Sequence, residues 1–217
     1  ILYTAKEEAV EGYTQKSVTT ATGFNFTNTH EPQTVTYGAT KVWLDDDNRD
    51  GVRPNSITLT LTGSDGSKYT KQMTAASNWS DVTFERVPMF NNGKYITYTL
   101  SENDVPSYVN SVAVSEDGKF FTVTNTHTPD HAIIKITEVW HDENDQDGIR
   151  PKKVTTIIVG SNGNRHEVPL HSSGDWHYTC DDLVKYWKNG QLVDYTVEAV
   201  TIDGYTSEVK SLGNNVF

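Results

Sequence analysis

The chain has 217 residues, a formal net charge of −11 and 35% hydrophobic residues. That length allows one to two domains, and the low apolar share suits thin β-sandwiches, in which every second residue faces water, better than one large core. The acidic balance excludes nucleic acid as a partner, because phosphate contacts need Lys and Arg patches. No apolar run approaches the roughly 20 residues of a membrane helix, so no membrane insertion is expected.

In chain order, the predicted elements are short strands joined by turns. Residues 23–30 read as a strand ending in Thr27, Asn28, Thr29 and His30, with Pro32 just beyond. Residues 56–62 alternate threonine or serine with Ile57, Leu59 and Leu61, a period-two strand pattern. Turns follow at 64–67 and 91–93, each carrying a glycine. Residues 95–100 and 119–124 are strand-like and flank a turn at 116–118. The second T-N-T-H, Thr124 to His127, precedes Pro129, and each proline marks a short linker between successive units stacked as a semi-rigid rod. Cys180 lies in an alternating strand and reads as a small core residue; as the single cysteine it permits no internal disulfide.

These elements recur. Trp43 and Trp140, Gly51 and Gly148, Pro54 and Pro151, Trp79 and Trp176, Tyr98 and Tyr195, and Tyr108 and Tyr205 are each 97 positions apart. A one-residue slip near Phe84 and Cys180 is the local break in register. Tyr3, Glu7 and Tyr13 match Tyr98, Glu102 and Tyr108 at an offset of 95, so the beginning of the chain is a third, partial copy. The repeats predict 1–32 as the C-terminal part of one unit, 33–129 as a complete unit, and 130–217 as a unit lacking its last strand. The chain is accordingly read as an internal fragment of a longer exported protein. Many short strands with turns between them indicate an all-β sandwich.

Lys41-Val42-Trp43, the Asp-rich turn to Asp50-Gly51-Val52-Arg53-Pro54, the strand Tyr98-Thr99-Leu100-Ser101-Glu102, and Thr124-Asn125-Thr126-His127 together resemble the Cna protein B-type (CnaB) repeat domains of Gram-positive cell-wall-anchored adhesins. The resemblance covers nearly the whole chain. It implies tandem reversed immunoglobulin-like β-sandwiches, and an intramolecular isopeptide bond from a lysine on the first strand to an asparagine on the last, assisted by a buried acid. By this resemblance Lys41 is the nucleophile, Asn125 the electrophile and Glu102 the proton shuttle. The chemistry suits these residue types. Burial favours the neutral, nucleophilic form of an amine, and a buried carboxyl kept protonated polarises an amide carbonyl and passes protons to the leaving ammonia. The fold supplies proximity. The alternative for the same three residues is a buried salt bridge with the asparagine hydrogen-bonded beside it, an arrangement that adds little stability. The partial copy keeps Glu7 and Asn28 of this triad. In the last copy Lys41 corresponds to Glu138 and Glu102 to Ala199, so nucleophile and acid are both lost. Lys135 and Glu198 stand at odd offsets from those positions, on the other face of their strands.

Asp46, Asn48, Asp50 and Gly51 match positions one, three, five and six of a calcium loop, and 142–148 repeats the pattern. The twelfth position is Ile57 instead of Glu, so the loop is read as a polar connection and no metal or other cofactor is expected. The seven histidines are scattered, without a zinc-like spacing. His30 and His127 are expected to pack near the ends of their units, and Trp187, which has no Trp counterpart, either to stand exposed or, as such residues more often do, to pack at an edge.

The expected function is structural: stalk repeats on the cell wall surface of a Gram-positive bacterium, projecting an adhesive head and tied internally by a single-turnover cross-link, with no turnover enzyme activity. The alternative is a binding module in which the repeats themselves recognise a host extracellular matrix protein, by strand addition at a sheet edge. Residues 1–32 of one molecule are further expected to dock on 130–217 of another, giving non-covalent head-to-tail association.

Overall fold

β-Branched side chains fit a pleated, half-buried surface, and threonine and valine are the commonest residues in the strands of the computed structural model, which describes residues 3–217. The strands are β1 (Thr14–Thr20), β2 (Gly23–Thr29), β3 (Thr34–Leu44), β4 (Ser56–Gly63), β5 (Lys68–Thr74), β6 (Val82–Pro88), β7 (Phe90–Asn91), β8 (Lys94–Tyr95), β9 (Tyr98–Glu102), β10 (Val109–Val114), β11 (Phe120–Thr126), β12 (His131–Thr137), β13 (Lys153–Gly160), β14 (Arg165–His171), β15 (His177–Val184), β16 (Tyr186–Trp187), β17 (Gln191–Leu192) and β18 (Tyr195–Ala199). The helical content of the described residues is two single 3-10 turns, Ala75–Ser77 and Ser172–Gly174. The architecture is all-β, of immunoglobulin-like sandwiches.

The 97-residue repeat is a repeat of topology. Sheet β5-β4-β9 has its counterpart in β14-β13-β18, and the pairing of β3 with β6 in that of β12 with β15. Strands β10, β11, β3 and β6 follow one another in a single four-stranded sheet. The slip inferred near Phe84 appears in the ladders: Phe84 opposes Tyr37, and Cys180 opposes Ile134, each just past a register irregularity.

The described residues form two compact units. One draws on residues 3–41, Asn55–Asp104 and Val112–Val123, the other on Val42–Pro54, Val105–Ser111 and Thr124–Phe217. In the first, β4 buries every second residue, and Ile57, Leu59 and Leu61 join Met73, Phe84, Val87 and Val123 in the core. The β1–β2 hairpin pairs in uninterrupted register from Thr14↔Thr29 to Thr20↔Gly23 and buries none of its residues fully. In the second unit, Ile134, Ile136, Ile158, Val168, Leu170, Trp176, Cys180 and Leu183 form one apolar cluster, so Cys180 is a core residue.

The predicted strand at 95–100 is broken. Ile96 turns inward, 3% exposed, and its N–H bonds to the Met89 carbonyl at 2.9 Å, while the Thr97 N–H goes to Ser64 Oγ at 3.2 Å. Burial of one large side chain therefore interrupts a ladder that the alternation alone would continue. At the other end of the chain, Asn215 to Phe217 run beside β12. Lys135 N–H bonds to Asn215 O at 3.0 Å, Phe217 N–H to Lys135 O at 2.9 Å and Thr137 N–H to Phe217 O at 3.0 Å, about a parallel bridge between Lys135 and Val216.

Candidate functional site

Strand β3 carries Lys41 into the first unit, where its side chain is fully shielded. Its Nζ lies 3.4 Å from Glu102 Oε1, also fully shielded, and 3.3 Å from the Val123 carbonyl, to which it donates. Glu102 ends β9 opposite Leu59 in the ladder. Placing an amine and a carboxyl together out of water is costly for each charge unless the other pairs with it. In the second unit Asn125, on β11, has no exposed surface. Its Oδ1 accepts a hydrogen bond from Asn110 Nδ2 at 3.0 Å.

Asn110 is a residue that the sequence reading missed. Its donor sits on the oxygen that would gain negative charge if an amine attacked the Asn125 amide, the position of an oxyanion-stabilising group. The repeat offsets put Gln15 in the partial copy and Ser207 in the last at the same place, so no shared residue type marks the position. In the partial copy Gln15 Nε2 donates to Glu7 Oε2 at 2.7 Å, and Asn28 Nδ2 donates to Glu7 Oε1 at 2.8 Å. The carboxyl and the amide of this half-triad are therefore in direct contact, on an exposed surface. In the last repeat Glu138 and Ala199 stand in the lining of a groove of about 1040 Å³, together with Ile136, Thr156, Val197 and Phe217. Burial raises the Glu138 carboxyl above its usual range. Lys135 and Glu198 face outward, and Glu198 pairs with Arg165 at 2.5 Å.

The acidic loops are held by protein partners. Asp45 accepts Arg53 Nε at 3.0 Å, Arg53 Nη2 at 2.6 Å and the Tyr108 hydroxyl at 2.7 Å. Burial pushes the Asp45 carboxyl up, but these donors outweigh it and hold the pKa low. Trp43 packs edge-on against Tyr108, with the Arg53 guanidinium over its ring. Asp142, Arg150, Tyr205 and Trp140 repeat the cluster. Of the calcium-loop positions, Asp46 reaches Arg49 at 3.3 Å, Asn48 Oδ1 accepts the Arg53 N–H at 2.9 Å, and Asp50 Oδ2 accepts from the Asp130 N–H at 2.7 Å and faces His127 Nε2 at 3.1 Å. His30 and His127 lock the loops before them, through Gly12 O at 2.8 Å and Ser107 O at 2.9 Å. Trp187 is 37% exposed, with Lys188 over its ring.

Two copies of one β-topology, the first holding a shielded Lys–Glu pair, define a tandem β-sandwich repeat protein. The Cna protein B-type domain matches residues 38–126 and 134–217, and the chain belongs to that family. It is 32% identical over 220 residues to a collagen adhesin of Staphylococcus aureus, covering 99% of this chain and 18% of that protein's length. Among solved structures it is similar to the two B repeat units (B1B2) of the collagen binding protein of Staphylococcus aureus, at 32% identity, a TM-score of 0.49, and 96% coverage of this chain against 55% of that one. It is also similar to the single B1 unit of the same protein, at 33% identity, a TM-score of 0.38, and 85% coverage against 96%.

Proposed function

We propose that this chain is a stalk segment of an extracellular, cell-wall-attached protein of a Gram-positive bacterium, made of repeats at 1–32, 33–129 and 130–217, and that it carries an adhesive head away from the cell. The central repeat ties itself with an isopeptide bond. The neutral Lys41 amine attacks the Asn125 side-chain carbonyl, a C–N bond forms, and the amide nitrogen leaves as ammonia. Glu102 carries the proton from the amine to the leaving group. The observation that supports this best is the fully shielded Lys41–Glu102 pair at 3.4 Å, since such a pair adds little stability by itself. Tryptic mapping tests it: a branched peptide joining the Lys41 and Asn125 segments is expected, and recovery of both segments only as linear peptides would overturn the reading.

The last repeat, with Glu138 and Ala199 in place of the pair, stays uncross-linked. The groove beside Glu138 accepts residues 23–29 of a second copy, because β2 carries Asn28 in the T-N-T-H segment homologous to β11. This contact is non-covalent for want of the lysine. Light scattering over a concentration series should show association that disappears when residues 1–32 are deleted; equal monomer masses for both chains would exclude it.

One feature favours a second reading, in which the repeats bind a host matrix protein. Strand β10 is last in the order of its sheet, with Val109, Val112 and Val114 exposed, and such an edge accepts an added strand. Saturable binding of the purified chain to immobilised matrix proteins, lost on Val112→Lys, would support it, and no binding would remove it.

A further inference from the structure

The loop from Asp45 to Gly51 carries three successive non-glycine residues in the left-handed region, Asp46 at φ 50°, Asp47 at 57° and Asn48 at 58°. Left-handed backbone is costly for each such residue, least for Asn and Asp, so the surroundings must fix it. They do: the Asp45–Arg53–Tyr108 cluster clamps its base. The same run recurs at Glu143, Asn144 and Asp145 above the Asp142–Arg150–Tyr205 cluster. A shape so constrained, in two copies, presents a fixed surface.

In the first copy that surface is occupied within the second unit. Asn48 Nδ2 donates to Asn189 Oδ1 at 3.2 Å, and the Gly190 N–H donates to Arg49 O at 2.9 Å. A Cβ on Gly51 would lie 2.6 Å from the Asn189 carbonyl carbon and oxygen, and one on Gly190 would lie 2.9 Å from Asp50 O. Two glycines thus let two backbones meet at van der Waals distance, which no other residue allows. Beside this contact, Asp50 caps the Asp130 N–H, and Lys185 bonds to Asp130 through Nζ at 2.9 Å and through its N–H at 3.3 Å. The connection from His127 to His131 is therefore fastened to the loop on one side and to the base of the 186–192 hairpin on the other.

We infer that the Asp-rich loop is a docking socket for the Asn-Gly turn of the repeat that follows it, so that consecutive repeats are joined by a built interface. The sequence carries both halves in each of the two later copies. Asn92-Gly93 is the counterpart of Asn189-Gly190, and Gly148 is the counterpart of Gly51. A Cβ on Gly93 or on Gly148 meets nothing within 4 Å among the described residues. Gly148 is open where Gly51 is filled, so the last loop presents the same socket to the Asn-Gly turn of another repeat of this kind. The inference stands apart from the cross-link, since none of its residues belongs to the Lys41–Glu102–Asn125 set.

Amide hydrogen exchange by NMR on the full chain tests it. The Gly190 amide should be protected in the wild type. Gly51→Asn keeps a residue type that tolerates left-handed backbone but places a side chain in the contact, and should accelerate Gly190 exchange about tenfold, the effect of losing one hydrogen bond. Gly148→Asn, facing open space, should leave it unchanged. Asn189→Gly removes the partner of Asn48 from the other side, and should also accelerate Gly190 even if Gly51→Asn disturbs the loop itself. Exchange of Gly190 at open-turn rates in the wild type, or equal behaviour of the 51 and 148 variants with no effect from Asn189→Gly, would overturn the socket.

Discussion

At His127 both ring nitrogens face acceptors, the Ser107 carbonyl at 2.9 Å and the Asp50 carboxylate at 3.1 Å, and only the imidazolium donates to both. Burial pulls its pKa down, but the Asp50 and Ser107 hydrogen bonds and the Asp50 and Asp130 charges outweigh it, leaving the pKa above the ordinary 6.5. The packed Tyr108 ring adds no charge. A group with a raised folded pKa contributes stability that is fully present below its unfolded pKa and is lost as pH rises through the folded one. An NMR titration should therefore place the folded His127 pKa above 6.5, and the stability advantage over His127→Gln should fade on the alkaline side of it. A folded value at or below 6.5 would contradict this. Cys180 gives a second prediction. Burial first, then its hydrogen bond to Asp182 at 3.2 Å, pushes the thiol up to about 11, so a thiol reagent at neutral pH should label it only on unfolding; rapid labelling of the folded chain would show the site is open. Lys41 and Glu102 were legible because a dense set of neighbouring motif residues marked their strands. Asn110 was not, because Gln15, Asn110 and Ser207 share a position without sharing a residue type.

Among the elements, the strands were legible where threonine alternates with aliphatic residues, as in β4. The register was less so. Nothing in the alternation of 95–100 says that Ile96 leaves the ladder for the core. In the Asp-rich loops the spacing imitates a cation loop, while the partners that hold Asp45, Asp142 and Asp50 Oδ2, namely arginine, tyrosine and the Asp130 N–H, are ones that sequence order does not mark. Arginine is decisive in these loops. Removing one partner of an ion pair leaves the other charge unpaired, so Arg150→Met, which strands Asp142, should lower the stability of the last repeat. Tyr205→Phe, which deletes one hydrogen bond to the same carboxylate, should cost less than Arg150→Met. Urea unfolding followed by Trp140 and Trp176 fluorescence measures both, and equal effects would show that the guanidinium is not the main anchor.

For the whole molecule, the proposed reading puts a covalent tie in 33–129 and none in 130–217, where Glu138 and Ala199 stand at the positions of Lys41 and Glu102. An isopeptide bond from Lys41 to Asn125 closes a loop of about 84 residues, which by the loop-entropy argument for disulfides stabilises by roughly 4 kcal/mol. Trypsin should therefore degrade 130–217 before 33–129, and Lys41→Ala should remove that difference. The central claim itself is tested most directly by the intact mass of the purified chain. The cross-linked protein weighs one ammonia less than its sequence, and Glu102→Ala, which removes the proton carrier, restores the full mass. A wild-type chain at its full sequence mass would contradict the account.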